Sequence, residues 1–276
     1  MLSQIFYPNN LQEFFNTLDR FTSVDLFKGG AYQMRRQHGR TFVLPELIID
    51  TDKLAELHSI NRTERYLEVG SMVSLSRLLT LGKIVPEIVR QTLEHSYPCL
   101  LRNAVSIGGV LCGAQGHEPL NAALIALGAR CELRANAQSR WVSLNQLTRS
   151  DKPFAFSPHE ILYRVRIPLD TWNFSLLKNF DDVGVETGEH ESGLIIFLAR
   201  IQNDILSDVL VIFSGPAILQ DRDCETGLIG QKLPLPKKDV PVFTNLWKNY
   251  FSENCTPFLR DKILAFIESA ILQIAD

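Results

Sequence analysis

Two glycine pairs constrain this chain more than any other feature of its sequence. Gly29-Gly30 follows a short apolar run, and Gly108-Gly109 lies within the stretch that runs from Leu101 to Cys112. Glycine adopts positive φ freely and has no Cβ to obstruct an approaching group. The bare N–H groups of such turns form concave sites for anions. The two pairs therefore predict two places where the backbone approaches a bound group closely, with a pyrophosphate held between them.

Length and composition indicate a globular protein of two or three compact parts. The chain has 276 residues, of which 45% are hydrophobic and 21% charged, with a formal net charge of -3. This charge balance gives no reason to expect nucleic acid or an anionic membrane as a partner. No apolar run approaches the length of a membrane span, and the first residues lack the pattern of a signal peptide. We therefore expect a cytoplasmic protein.

The sequence lacks several common motifs of metal sites and hydrolases. Its five cysteines are widely spaced without a Cys-x-x-Cys pair, so we expect buried free thiols and no iron–sulfur cluster within this chain. Its six histidines include no His-Glu-x-x-His. The Gly-x-Ser-x-Gly elbow and the Gly-x-x-x-x-Gly-Lys phosphate loop are also missing. We accordingly predict no metal ligand and no residue that must act as a catalytic acid or base.

Hydrophobic periodicity predicts two α/β subdomains in the first part of the chain. Residues 1–62 contain a helix capped by Asn9-Asn10 and two apolar strands. Residues 63–170 alternate strands with helices, and residues 102–112 are predicted to be a loop that leads to a helix near Pro119. The strands are predicted at 24–27, 47–49, 67–69, 130–134 and 160–167, and the helices at 11–18, from Ser74, from Pro86 and at 119–127.

Residues 171–276 have a different pattern, in which consecutive strands precede two helices. This order is typical of an α+β domain with an antiparallel sheet. Gln202-Asn203-Asp204 is predicted to be a hairpin turn. The fold class that we predict is therefore α+β, a two-part α/β domain followed by a smaller α+β domain. The strands of the latter are predicted at 174–180, 194–202 and 205–213, and its helices at 242–251 and 257–274.

Both glycine pairs lie within longer motifs that resemble a known family. The chain reads Arg102-Asn103-Ala104-Val105-Ser106-Ile107-Gly108-Gly109-Val110 where the family typically has Arg-Asn-x-x-Thr-Ile-Gly-Gly-Asn. It reads Lys28-Gly29-Gly30-Ala31-Tyr32 where the family has Ala-Gly-Gly-Thr-Asp. On these motifs the chain resembles the FAD-binding medium subunit of molybdenum hydroxylases such as xanthine dehydrogenase and carbon monoxide dehydrogenase. That subunit has the flavin fold of vanillyl-alcohol oxidase and p-cresol methylhydroxylase.

Shorter motifs extend this resemblance, and some positions differ from it. Residues 67–71 read Leu-Glu-Val-Gly-Ser where the family has Leu-x-Ile-Gly-Ala, so Ser71 stands in place of an alanine. Lys178-Asn179-Phe180 is similar to a Lys-x-Phe motif. Val110 replaces an asparagine, and Glu118-Pro119 occupies the place of a family aspartate.

The resemblance implies FAD as the cofactor and a set of residues that bind it. Main-chain N–H groups of residues 29–32 and 106–110 would hold the pyrophosphate, and Asn103 would brace the second loop. Three side chains would lie near the flavin ring, namely Ile161, Leu162 and Lys178. The cofactor-binding residues implied are Lys28, Gly29, Gly30, Ala31, Tyr32, Asn103, Ser106, Ile107, Gly108, Gly109, Val110, Glu118, Ile161, Leu162 and Lys178.

Several residues near these motifs have two interpretations each. Cys112 is either a packed thiol, which we favour, or a neighbour of the cofactor. His117-Glu118 either faces the cofactor or caps the helix that begins at Pro119. Tyr32 stacks on a ring or, as we favour, covers its loop. Lys28 approaches the pyrophosphate or remains solvated.

The resemblance implies an electron-transfer subunit. Substrate would be oxidised on a molybdopterin-binding large subunit, and electrons would pass through an iron–sulfur small subunit to the FAD of this chain and on to NAD or another acceptor. The alternative is an assembly subunit with weakened or lost FAD binding, suggested by Lys28, Ala31, Tyr32 and Val110. A stand-alone flavin oxidoreductase is a third hypothesis.

Overall fold

The computed structural model describes residues 4–21, 24–28, 30, 47–113, 118–136, 138–149, 156–157, 159–170, 172–183 and 190–275. The chain divides into two compact units, Met1–Leu169 and Asp170–Asp276. The predicted α+β fold, an α/β part followed by an antiparallel sheet with helices, is confirmed. The further boundary that we predict at residue 62 remains a prediction.

The first unit begins with a small parallel sheet. Its strands are β1 (Gln4–Phe6), β2 (Val24–Phe27) and β3 (Leu47–Asp50), and β3 lies between the other two. Helix α1 (Leu11–Leu18) packs its buried face against this sheet, in a cluster that includes Phe14 and Ile49. Because β2 ends at Phe27, the first glycine motif follows directly at the carboxyl end of a strand.

The second sheet of this unit has five antiparallel strands in the order β4-β5-β8-β6-β7. These strands are β4 (Ile60–Arg62), β5 (Tyr66–Gly70), β6 (Arg130–Ala135), β7 (Gln138–Ser143) and β8 (Ile161–Pro168). Short 3-10 turns lie at Ala55–His58 and Gly82–Ile84. Strand β8 therefore runs through the centre of the sheet, and its first residues reach the site described below.

One face of this sheet carries a largely buried charged cluster. Arg164 donates from Nη1 to Glu68 Oε2 at 2.9 Å and from Nε to Glu132 Oε2 at 2.5 Å. Arg166 Nη2 donates to Glu68 Oε1 at 2.6 Å. Pairing of this kind offsets the cost of removing the carboxylates from water. The cluster joins β5, β8 and β6 in their observed order.

Six further short helices lie among the described residues of the first unit, and two of them correct the sequence prediction. The segment 102–112, predicted to be a loop, belongs to two helices separated by Val105 and Ser106. Ile107, Val110 and Leu111 have helical spacing and are all fully buried, which explains why a helix forms despite the glycine pair. The helices are α2 (Leu75–Leu79), α3 (Glu87–Ser96), α4 (Cys99–Ala104), α5 (Ile107–Gly113), α6 (Pro119–Ala126) and α7 (Leu144–Arg149).

The second unit is an antiparallel sheet with helices, as predicted. Its strands are β9 (Phe174–Val183), β10 (His190–Gln202), β11 (Ile205–Ser214) and β12 (Ile218–Leu219), in the order β12-β11-β10-β9. We predict a turn at Gln202-Asn203-Asp204; Gln202 ends β10, and Asn203 and Asp204, with φ of 52° and 60°, form a two-residue hairpin turn. The described helices of this unit are α8 (Arg222–Thr226), α9 (Val240–Asn254) and α10 (Pro257–Ala275), and a 3-10 turn at Lys237–Asp239 precedes the last two.

Two further expectations concern membrane spans and thiols. Among the described residues, no helix has both the length and the apolar character needed to cross a membrane. Cys131 and Cys224 are buried free thiols as expected, whereas Cys99 and Cys112 are exposed. The prediction of buried thiols is therefore wrong for Cys99. Cys112 is exposed as a residue and lines the cleft described below, while burial of its thiol raises its pKa to about 12.

Candidate functional site

A cleft in the first unit brings the two glycine motifs together. Its volume is about 380 Å³, within the range of about 300–1,000 Å³ that is usual for small-molecule sites. Its walls come from four separate parts of the chain, represented by Leu26, Met72, Val105 and Ile161. The predicted site residues that line it are Lys28, Gly30, Ser106, Gly108, Gly109, Ile161 and Leu162.

Gly108 on α5 packs closely against Ser71, the residue that follows β5. A Cβ at this position would lie 2.7 Å from the carbonyl oxygen of Ser71 and 2.9 Å from its Cβ. The Gly108 N–H donates to the same carbonyl oxygen at 2.7 Å. Glycine is required here for close packing, whereas at Gly30 the backbone itself has a positive φ of 64°.

The N–H groups of the second glycine motif are engaged within the protein. Those of Ile107 and Gly108 donate to the carbonyl oxygens of Val73 and Ser71, at 2.9 and 2.7 Å. Those of Gly109 and Val110 donate to the side-chain and carbonyl oxygens of Ser106, both at 3.1 Å. The segment is thus not the open loop with free N–H donors that we predicted, because it forms the first turn of a helix. Ile107 and Val110 are moreover fully buried in the core.

Two buried hydroxyl groups also line the cleft. Ser106 is 6% exposed, and besides accepting from Gly109 its hydroxyl lies 3.9 Å from the weakly accepting sulfur of Met72. Ser71 is 1% exposed, and its Oγ has no hydrogen-bond partner among the residues that the structure describes. Most buried polar groups in proteins are hydrogen-bonded, so the Ser71 hydroxyl is a candidate for a hydrogen bond to a ligand in the cleft.

Lys28 lines the cleft but is held by neighbouring groups. Its Nζ donates to the carbonyl oxygen of Met72 and lies 3.4 Å from Nδ1 of His58. Burial lowers the pKa of Lys28, and burial followed by the charge of Lys28 lowers the pKa of His58. Lys28 is therefore half-buried rather than fully solvated, and its approach to a pyrophosphate remains a prediction.

A carboxylate in the cleft wall is balanced by an ion pair. Glu160 accepts from Nε and Nη2 of Arg140 at 2.7 and 2.8 Å, and from the N–H of Ser157 at 2.7 Å. The hydrogen bond from Arg140 holds the pKa of Glu160 below its usual value. The carboxylate is therefore ionised and its charge is largely compensated, which reduces its repulsion of an anion.

Glu118 lies outside the cleft lining, at the start of α6. The hydroxyl of Tyr97 donates to Glu118 Oε2 at 3.2 Å and accepts from the N–H of Leu120 at 3.2 Å. Glu118 occupies the N-cap position of α6, but its side chain makes no capping hydrogen bond. The predicted capping role is therefore wrong for the Glu118 carboxylate, because the Leu120 N–H donates to the hydroxyl of Tyr97 instead.

The remaining predicted residues fall in three groups. Asn103 is exposed on α4 and does not line the cleft. Lys178 is exposed on β9 of the second unit, with its ammonium 5.6 Å from the centre of the Phe180 ring. Four residues with predicted roles lie outside the described residues, namely Gly29, Ala31, Tyr32 and His117.

Sequence analysis missed part of the cleft wall. The lining residues without a prediction include Asp25, Ser71, Met72, Phe156 and Glu160. One of them had a signal, because Ser71 departs from the alanine of the family motif. The others come together only through tertiary packing of distant parts of the chain, which a single sequence does not specify.

The chain belongs to the family described as the FAD binding domain in molybdopterin dehydrogenase, whose model matches residues 2–170. Xanthine dehydrogenase of Oryza sativa subsp. japonica is 27% identical to it over 232 residues, which cover 72% of this chain and 16% of that protein. Aldehyde oxidase 2 of Cavia porcellus is 25% identical over 221 residues, which cover 75% of this chain and 16% of that protein. The chain therefore spans about a sixth of the length of these curated relatives.

Solved structures show the same fold. Quinoline 2-oxidoreductase from Pseudomonas putida 86 matches with a TM-score of 0.79 at 19% identity, covering 100% of this chain and 97% of that chain. A Cu,Mo-CO dehydrogenase matches with a TM-score of 0.77 at 15% identity, covering 100% of this chain and 99% of that chain. These comparisons confirm the predicted family, the oxidoreductase class to which it belongs and FAD as the cofactor of that family.

The cleft residues fit a flavin dinucleotide. Ile161, Leu162 and Phe156 supply an apolar wall of the kind that accommodates a planar ring. Ser71 and Ser106 place side chains beside Gly108 and Gly109, whose backbone lines the cleft and can be approached by a phosphate. Two carboxylate side chains line the cleft, those of Asp25 and Glu160, and the charge of Glu160 is largely compensated by Arg140.

Proposed function

We propose that this chain is the FAD-binding electron-transfer subunit of a molybdenum hydroxylase. The observation that carries the proposal is the cleft itself, in which both glycine motifs, an apolar wall and two buried hydroxyls converge within the region that matches the FAD-binding family. A site of this composition is suited to a ligand with an aromatic ring at one end and phosphates in the middle.

The residues of the chain bind and shield the cofactor. When bound, FAD supplies the redox chemistry that the side chains of the cleft lack. Ser106 donates its hydroxyl hydrogen toward the phosphates, since its present neighbour is only a weak sulfur acceptor. Ile161 and Leu162, which are 5% and 6% exposed, exclude water from one side of the ring. A position of Lys178 near the ring remains part of the proposal.

The partners and the acceptor belong to the same proposal. A molybdopterin-binding large subunit and an iron–sulfur small subunit would deliver electrons, and NAD or another acceptor would receive them. Support comes from the solved structures, since the chain covers 97% and 99% of single chains of a quinoline 2-oxidoreductase and a CO dehydrogenase. A cytoplasmic location is also proposed rather than observed.

A visible absorption spectrum tests the cofactor directly. The purified chain is measured as isolated and again after it is mixed with FAD and passed through a desalting column. We expect flavin absorption bands that remain with the protein in about equimolar amount. A colourless chain that does not retain FAD, both alone and when co-purified with its partner subunits, would contradict the proposal.

An assembly subunit without FAD is the second candidate. It is favoured by one observation, namely that the four N–H groups from Ile107 to Val110 already have acceptors within the protein. This hypothesis predicts a complex that forms and turns over with a flavin-free chain. The third hypothesis, a stand-alone oxidoreductase, predicts that the isolated chain with FAD passes electrons from reduced nicotinamide to a dye.

A further inference from the structure

The hydroxyl of Ser71 is an unused hydrogen-bonding group in the cleft wall. Ser71 is 1% exposed and lines the cleft, and no described residue pairs with its Oγ. Its backbone, in contrast, is fully engaged. The N–H donates to the carbonyl oxygen of Tyr163 at 3.1 Å, and the carbonyl accepts from Gly108 at 2.7 Å. The side chain is therefore held in place by its backbone while its hydroxyl lacks a partner.

Ser71 and Ser106 belong to one continuous wall. The segment that follows β5 runs beside the start of α5, joined by a bridge between Ser74 and Ser106 and by the bond from the Ile107 N–H to the Val73 carbonyl. Gly108 closes this junction, because only a residue without Cβ fits against Ser71. Ser71, Ser106 and Gly108 all line the cleft, so a ligand group in this part of the cleft lies near both serine side chains.

The hydrogen-bonding capacity of a serine hydroxyl indicates which ligand group would suit Ser71. A serine hydroxyl supplies one hydrogen and two lone pairs, whereas a phosphate oxygen is an acceptor only. Leaving a buried hydroxyl without a partner is unfavourable, and a hydrogen bond to a charged acceptor is stronger than one to a neutral acceptor. An anionic oxygen beside Gly108 therefore suits this hydroxyl best.

We propose that Ser71 is a cofactor-binding residue whose hydroxyl donates a hydrogen bond to a phosphate oxygen of the dinucleotide in the cleft. This proposal rests on the function proposed above. It adds a contact that the family motif does not contain, since that motif has alanine at this position. The hydroxyl thus compensates in part for the backbone N–H groups that α5 uses internally.

The test replaces Ser71 by alanine and measures FAD binding by fluorescence quenching. We expect the Kd of Ser71→Ala for FAD to rise about tenfold, as for loss of a hydrogen bond to a charged group. The melting temperature of the FAD-free variant should equal or exceed that of the wild type, because the variant removes an unpaired buried hydroxyl. Ser59→Ala is the matched control. Its hydroxyl donates to the Glu56 carbonyl and does not line the cleft, so the Kd should not change.

A second measurement identifies the part of the ligand that Ser71 contacts. At millimolar concentration of variant and FAD, we expect a phosphorus NMR resonance of the bound diphosphate to shift, while the flavin absorption bands stay unchanged. Shifted absorption bands with unchanged phosphorus resonances would place the hydroxyl at the ring and overturn the phosphate contact.

The outcomes separate this proposal from the one on which it rests. Equal Kd values for wild type and Ser71→Ala would overturn the role of Ser71 and leave FAD binding intact. A lower melting temperature of the FAD-free variant, with a rise in Kd, would show a structural role instead. Failure of the wild-type chain to bind FAD would overturn both proposals.

Discussion

Single residues shape the cleft in two ways, by allowing close packing of the backbone and by compensating the charge of a neighbouring side chain. Gly108 allows α5 to lie against the end of β5, and Arg140 removes the effect of a carboxylate that would otherwise face an anion. Both effects are invisible in a motif. The first depends on the distance to Ser71, and the second depends on a side-chain ion pair between β7 and the residue that precedes β8.

Substitution of Gly108 tests the close approach. We expect Gly108→Ala to lower the free energy of unfolding by about 1–3 kcal/mol, because the new methyl group collides with backbone atoms of Ser71 that cannot move aside easily. It should also abolish retention of FAD. Urea unfolding and the visible spectrum measure the two effects. Gly82→Ala is the control, since no atom lies within 4 Å of its Cβ position. It should cost stability through its positive φ yet keep FAD, and equal loss of FAD in both variants would contradict the argument.

Charge compensation at Glu160 gives a separate prediction. We expect Arg140→Gln to raise the Kd for FAD roughly two- to fivefold, because the uncompensated carboxylate repels the phosphates across a solvent-screened distance. The effect should shrink in high salt. Adding Glu160→Gln to this variant should restore the Kd. Arg62→Gln, at an exposed position on β4, makes the same change in net charge. A similar Kd for the Arg62 and Arg140 variants would show that only net charge matters.

At the scale of helices and strands, features that depend on local sequence could be predicted, whereas features that depend on tertiary packing could not. Asn10 accepts from the Glu13 N–H at 2.9 Å and Ser74 from the Arg77 N–H at 3.2 Å, and both caps were readable from the sequence. The hairpin turn at Asn203-Asp204 could also be predicted, because asparagine and aspartate adopt the positive φ that such a turn requires. The helix α5 was missed because its glycines are typical of turns, whereas burial of its apolar face decides the structure.

The start of α6 depends on a side chain from another helix boundary. Tyr97, which follows α3 and is 2% exposed, accepts from the Leu120 N–H through its hydroxyl. We expect Tyr97→Phe to lower the free energy of unfolding by about 1–3 kcal/mol, since a buried N–H loses its acceptor. Urea unfolding measures this change. Tyr7→Phe, at a side chain that is 53% exposed, should have almost no effect. An unchanged midpoint for Tyr97→Phe would mean that another group caps α6.

At the scale of the whole molecule, each unit has a hydrophobic cluster of its own. The cluster of the second unit consists of buried residues between Phe180 and Ile274, with Trp247 completely buried. The change from alternating strands and helices to consecutive strands predicts a domain boundary near residue 170. The cleft cannot be predicted in this way, because its lining comes from parts of the chain more than a hundred residues apart.

The second unit is therefore expected to fold by itself. A fragment of residues 170–276 should unfold cooperatively in urea, followed by circular dichroism. Within it, Trp247→Ala should cost about 3–5 kcal/mol, as is usual for a large aromatic side chain in a core. Val242→Ala on the same helix removes a side chain that is 62% exposed and should cost little. A fragment without a cooperative transition would show that this cluster is insufficient.

The distance in sequence between the walls of the cleft has a consequence for the life of the protein in a cell. A ligand that contacts Leu26, Met72, Val105 and Ile161 together binds only the folded first unit. At a free concentration one hundred times its Kd, such a ligand adds about 2.7 kcal/mol to the free energy of unfolding. Newly made chains that meet too little cofactor would then be the ones that proteases remove, so the abundance of the subunit would follow the supply of the vitamin from which its cofactor is made.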